Sequence, residues 1–405
     1  MMQARRPTAI VTGMIATYPV GGVLWDYGQY VLGLERLGWD VYYLEDTGGQ
    51  TYDPNRREYS DDCSYGVAFL ANGLRLLSPE LAAKWQFRAA DGAIHGLTPD
   101  EWDAVLARCD LFLNVSGSAL LRDEYMPVAC KVLIDTDPGW NQFVNYPRWD
   151  ANPGWHDSHG YRAHDAFFSY AEGYGRPDCE LPTLGLPWKP TRPPVVVDCW
   201  TARPPGDRWT TVMTWNNFRQ PLEHAGRIYG TKEMEFHRIA DLPRHVGAAF
   251  EVAVGGEAPV DDWRGRGWQV IDSHDASRTA DAYRRYVEQS RGEVSVAKNV
   301  YVASRSGWFS CRSACYLAAG RPVVLQDTGF SGVLPTGRGL LAFETEDQAV
   351  RAVNEVEANY AAHAVAAREF ALERLDHRVV LGQLLAELGL QGVPQPAAVS
   401  TVSAS

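Results

Sequence analysis

Apolar runs alternate with amphipathic stretches along most of the chain. The opening "TAIVTGMIATYPVGGVLWDYGQYVLGLERLGWDVYYLED" reads as strand, glycine loop, helix and strand: an apolar run, the pair Gly21-Gly22, an amphipathic stretch ending at Gly38, then "VYYL". Further short apolar strands are predicted at 111–117, 131–137 and 166–173, so residues 1–185 alternate as a parallel α/β sheet would. Residues 186–207 hold six prolines and no helical periodicity, which predicts a stiff extended connection. The alternation then restarts over 208–391. Strands are predicted at 209–215, 250–256, 268–272, 299–304 and 321–327, and helices at 231–241, 278–289, 311–319 and 346–374. The final helices are expected to pack back toward the first unit, and the tail 392–405 reads as disordered. Two α/β units on a proline-rich hinge imply a cleft, where ligands of such sheets sit beyond the strand carboxyl ends.

Bulk composition narrows the function more than it alters this picture. A chain of 405 residues with 45% hydrophobic positions, 14 Trp and 19 Tyr is globular and long enough for two cores. The net charge of -12 argues against nucleic acid as a partner, because backbone recognition is mostly phosphate neutralisation. No run of about 20 apolar residues is present, and the N-terminal apolar stretch is too short for a signal peptide; the expectation is a cytoplasmic protein without stable membrane insertion. The seven cysteines lack CxxC pairs and read as reduced thiols rather than zinc ligands.

The most informative stretch is "SGWFSCRSACYLAAGRPVVLQDTGF", 306–330, a small-residue helix turning through Gly-Arg-Pro into an apolar strand. A helix starting near Ser310 would direct unpaired amides and a positive dipole end toward the cleft, which suits a diphosphate. Arg312 and Ser313 add donors at that end, Lys232 or Lys298 a second cation, and Gly21-Gly22 would face them from the other unit. The competing reading makes Arg312 a solvated helix residue and Ser310 merely a cap.

"SRSGWFSCRSACYLAAGRPVV" resembles the signature region of nucleotide-sugar glycosyltransferases of the GT-B fold, as do the Gly-Gly loop before "LERLGWDV" and Lys232 soon after the first strand of the second unit. The resemblance implies two Rossmann-like α/β domains facing across a cleft and transfer of a sugar from a nucleotide diphosphate sugar to a hydroxyl of a small-molecule or oligosaccharide acceptor, as in natural product biosynthesis. It implies donor contacts from Ser310, Cys311, Arg312 and Ser313, from the strand-end loop Asp327, Thr328, Gly329 and Phe330, and from Arg227, five residues before Lys232. Where many retaining relatives carry two glutamates eight positions apart, this chain has Gly307 and Cys315. Loss of the ribose-binding carboxylate makes a dTDP-sugar a candidate donor. The fold usually relies on helix dipole and cations, so no cofactor and no metal are expected. The alternatives are a nucleotide-sugar 2-epimerase-like enzyme and an inactive GT-B-like binding protein.

Candidate catalytic groups come from the first unit. Asp135 and Asp137 end an apolar strand at a Pro-Gly turn, and Asp137 either caps that turn or faces the donor. Asp26, near the start of the first helix, is a cap or a base. His156, His159 and His164 lie in a loop read as acceptor-side rather than metal-binding, with His164 and Glu172 the site members flanking a strand. Trp215, Asn216 and Asn217 end the first strand of the second unit and are candidates to line the cleft; Trp308 reads equally as core.

Overall fold

The computed structural model describes residues 5–216 and 222–391. Ten strands lie in the first part of the chain: β1 (Thr8–Thr12), β2 (Asp40–Glu45), β3 (Thr51–Asp53), β4 (Glu58–Ser60), β5 (Trp85–Arg88), β6 (Ile94–Gly96), β7 (Cys109–Val115), β8 (Lys131–Asp135), β9 (Ala166–Ser169) and β10 (Lys189–Pro190). Eight of them form one sheet in the order β10-β9-β8-β7-β1-β2-β5-β6, parallel except for β6, while β3 and β4 make a separate hairpin. Eight more follow: β11 (Arg208–Thr214), β12 (Leu222–His224), β13 (Arg227–Tyr229), β14 (Ala249–Gly255), β15 (Gln269–Asp272), β16 (Gly292–Ser295), β17 (Val323–Gln326) and β18 (Leu340–Phe343). Six give an all-parallel sheet, β15-β14-β11-β16-β17-β18, and β12-β13 is a second hairpin. Both sheets place their first strand in the middle and build outward in both directions, the doubly wound order.

Strands buried on both faces account for the apolar runs: all five residues of β1 are buried, with Ile10 registered against Tyr42 on one side and Phe112 on the other. The first helix, Gly21–Arg36, is buried nearly all round, because it is covered by the first sheet, by the helix Ala280–Gln289 of the second half and by the last helix, His377–Glu387. Gly33 permits that last contact: a Cβ there would lie 2.7 Å from Leu381 Cδ1. One apolar core consequently runs through both halves.

Several expectations are corrected. Gly21-Gly22 open the first helix rather than a free loop. The connection 186–207 is not a bare spacer: it carries β10, bridges Val195 to Asp376 and buries Val195, Val196, Val197 and Trp200. Residues 231–241 form two short 3-10 turns, and 346–374 divide at Asn359. The β-rich "NVYVAS" is a helix, Asn299–Ala303, and the strand before it is β16, "GEVS". β-branched composition fits any half-buried surface, and here Val300 and Tyr301 bury against the first half instead. The tail 392–405 lies outside the described residues.

Candidate functional site

The strand order of the second sheet reverses between β11 and β16, and Arg312 sits at that point. Its Nε donates to Glu293 Oε1 at 2.5 Å, Nη1 to the Val212 carbonyl at 2.9 Å and Nη2 to Ser295 Oγ at 2.7 Å. Glu293 is fully buried on β16. Arg312 is therefore neither the solvated residue nor the free phosphate ligand of the sequence reading: its fork is spent inside the sheet. Glu293 went unnoticed in the sequence, although a carboxylate inside an apolar strand pattern signals a buried partner. Lys232 is buried nearby, and burial, with Arg312 adding like charge, drives its ammonium well below the ordinary lysine range. Among the described residues no carboxylate lies within ion-pair distance of it.

Beside Arg312 opens a small pocket, lined by Ser295, Trp308, Ser310, Arg312, Ser313, Gln326 and Thr328 among others. The helix Cys311–Ala318 starts at its wall, with extended Ser310 as N-cap and no side chain capping the first amides. Ser313 is fully buried, and its Oγ has no partner among the described residues. Free amides at a helix start together with a buried, unsatisfied hydroxyl in the same pocket make an anion-accepting site.

The first half meets this site directly. Asp26 rests against the Cys311 thiol, and burial raises its carboxyl to about 6, a value suited to a base near neutrality. Asp137 reaches across as well: Lys298 Nζ donates to one oxygen at 2.7 Å and Tyr301 Oη to the other. The Trp308 ring stacks on Tyr301 with centroids 4.3 Å apart, and its Nε1 donates to the Thr136 carbonyl at 3.0 Å. Gly21 and Gly22 face the second half but not the pocket. The Gly22 amide is taken by Ser277 Oγ at 2.9 Å, and a Cβ on Gly21 would meet the Thr279 carbonyl at 2.2 Å. Gly307, at φ 77°, has the Gly173 amide where a side chain would begin, 2.5 Å from an ideal Cβ. A glutamate has no room there, so the absence of the first glutamate follows from packing.

Other predicted residues lie elsewhere. His164 is buried in the first half, with Nδ1 2.7 Å from the Tyr161 carbonyl and Nε2 3.1 Å from Asn114 Nδ2; burial lowers it to about 4, so it is a neutral structural group, not a base open to the cleft. Asp135 is saturated by Asn141, Gln142 and Ser169. Glu172 pairs with Arg192, His159 with Asp123, and Arg227 with Glu180 on an exposed hairpin away from the pocket. Asp327 uses its carboxylate to hold the Gly329 amide at 2.9 Å, so that amide is not offered to a ligand; Thr328 and Phe330 do line the pocket. Trp215 packs on Trp263 and Phe236, Asn216 lies by Gly256, and Asn217 falls outside the described residues. The described residues contain no cluster of three or more candidate metal ligands, and no helix among them is long and apolar enough to cross a membrane.

No family model matches the chain, and no curated protein matches it. Solved structures do. AviGT4, a glycosyltransferase involved in Avilamycin A biosynthesis, is similar with a TM-score of 0.54 at 13% identity, over 95% of this chain and 97% of that one. Anabaena Alr3699/HepE in complex with UDP-glucose gives a TM-score of 0.54 at 10% identity, over 95% and 100%. An alpha-glucosyltransferase (AGT) in complex with UDP gives 0.52 at 11%, over 95% and 100%. The chain has the GT-B fold, two doubly wound α/β halves facing each other, as the glycosyltransferases it resembles do.

Proposed function

We propose that the chain is a glycosyltransferase that takes its sugar from a nucleoside diphosphate donor bound at the Cys311–Ala318 helix and delivers it to a hydroxyl acceptor held by the first half. The observation that carries this is the unpartnered, fully buried Ser313 hydroxyl in a pocket at that helix's amino end. Lys232 and the free amides take the diphosphate, stabilising the leaving group as charge develops, and Asp26 accepts the acceptor proton. Asp135 is held by Asn141, Gln142 and Ser169, so the leaving-group charge is left to Lys232 and the helix, and activity is expected to survive EDTA. The halves part to admit a nucleotide sugar and close over it, excluding water from the donor.

The finer reading is a deoxyribose donor such as a dTDP-sugar, with a small molecule as acceptor. Its support is Cys315, a buried thiol at the position where the resemblance to retaining GT-B glycosyltransferases implies a ribose-binding carboxylate. AviGT4 belongs to a natural-product pathway, while HepE and AGT were solved with UDP or UDP-glucose, so base choice is the point to measure. A thermal-shift panel of nucleoside diphosphates, followed by donor hydrolysis without acceptor, tests both levels. A raised melting temperature with slow diphosphate release supports transfer, and preference for UDP or GDP over dTDP ends the deoxyribose reading. Binding without release points to a catalytically silent binding protein.

A further inference from the structure

The contact between Asp137 and Lys298 joins the two halves next to the segment 295–297 that lines the pocket. Lys298 directly follows Ser295, Val296 and Ala297, which line that pocket, and its charge weighs on buried Lys232. Asp137 lends one carboxylate oxygen to Lys298 and the other to Tyr301, with both charged side chains partly buried, at 16% and 36% exposure. Trp308 completes the unit: it lines the pocket, stacks on Tyr301 and holds the carbonyl next to Asp137. A pocket occupant touching Trp308 therefore bears on the residue that stacks on Tyr301 and holds the segment carrying Asp137.

We infer that Asp137 is a built-in stand-in for a donor phosphate: its carboxylate holds the place on Lys298 that an incoming phosphate takes, so donor binding exchanges one anion for the other and frees Asp137 toward the acceptor side. This rests on the donor site proposed above. Asp137 thereby competes with the donor, and the exchange makes nucleotide affinity depend on two residues in opposite senses. A carboxylate that merely tied the halves together would instead support binding along with its lysine.

The test is calorimetric titration of the full chain with dTDP and UDP, for the parent and for Asp137→Asn, Lys298→Met and Tyr301→Phe, each checked by thermal denaturation. Asp137→Asn should bind about fivefold tighter and Lys298→Met about fivefold or more weaker, the scale of one partly buried ion pair. Tyr301→Phe, which loosens Asp137 while keeping its charge and serves if the first variant does not fold, should tighten binding about twofold. Weaker or unchanged binding by Asp137→Asn, with the parent still binding, overturns the exchange alone. A parent chain that binds neither nucleotide overturns the donor site and the exchange together.

Discussion

The two sheets share one strand order, yet they finish their switch points differently. In the first half, between β1 and β7, Thr12 Oγ1 donates to Asn114 Oδ1 at 3.0 Å, Asn114 holds Ala119 and His164, and Ser118 closes on Thr12 at 2.7 Å. Behind them the Glu45 carboxylate, which the sequence reading missed, takes the amides of Ala16 and Thr17. In the second half, between β11 and β16, buried polar atoms remain unsatisfied: Ser313 Oγ and Glu293 Oε2 have no partner among the described residues. A saturated crevice is a scaffold, and one with buried polar groups left over is where a ligand completes the hydrogen bonding. The topology alone does not say which is which.

The largest expected effect separates support from binding in the second crevice. Arg312→Met strands Glu293 as a buried, uncompensated charge and should cost about 3–5 kcal/mol of stability, read by denaturant unfolding. Arg312→Met with Glu293→Gln should recover most of it. A single variant as stable as the parent would show that Arg312 is not the internal partner of Glu293.

Asp26→Asn comes next. Turnover should fall by about 10²–10⁴-fold with nucleotide affinity within about twofold of the parent. In the parent, activity should rise with pH through about 6 as the carboxyl loses its proton. The stability sign is opposite. The folded carboxyl holds its proton to about 6 against an unfolded value near 4, so its contribution is present at low pH and lost as pH rises through that window. The Asn variant should be about 1–2 kcal/mol more stable than the parent at pH 8, a gap that closes toward pH 4. Equal turnover in the two would remove Asp26 from the reaction.

Ser313→Ala is the subtlest and cuts both ways. Removing an unsatisfied buried hydroxyl should leave stability unchanged or raise it by up to about 1 kcal/mol, while nucleoside diphosphate affinity drops about 3–10-fold. Lower stability with unchanged affinity would mean that the hydroxyl has a protein partner and no ligand.

Central buried strands are plain in the sequence, because β7, β8, β11 and β14 each carry a short run of mostly apolar, buried residues. The helix beginning at Cys311 was equally plain from its small-residue run and the Gly-Arg-Pro turn after it. What escaped was set by partners far along the chain. Glu293 hid β16 by placing a charge where an apolar residue was expected, and only Arg312, beside it in space, explains it. Asp26 is a candidate from the sequence, but its raised carboxyl depends on burial against a half whose first strand begins only at Arg208. Gly21-Gly22 looked like a phosphate loop because nothing local reveals that Thr279 and Ser277 press against them. His164 looked catalytic because a histidine before a strand end carries no mark of its two internal partners.

In the proposed function the second crevice, not the first, holds the donor. Hydrogen exchange of the full chain, with and without saturating dTDP or UDP, reads it most directly. Slowed exchange should concentrate in peptides spanning 306–314 and 295–300, with the β1 and β7 strand ends unchanged. Protection confined to the first half, or none anywhere at saturation, would contradict it.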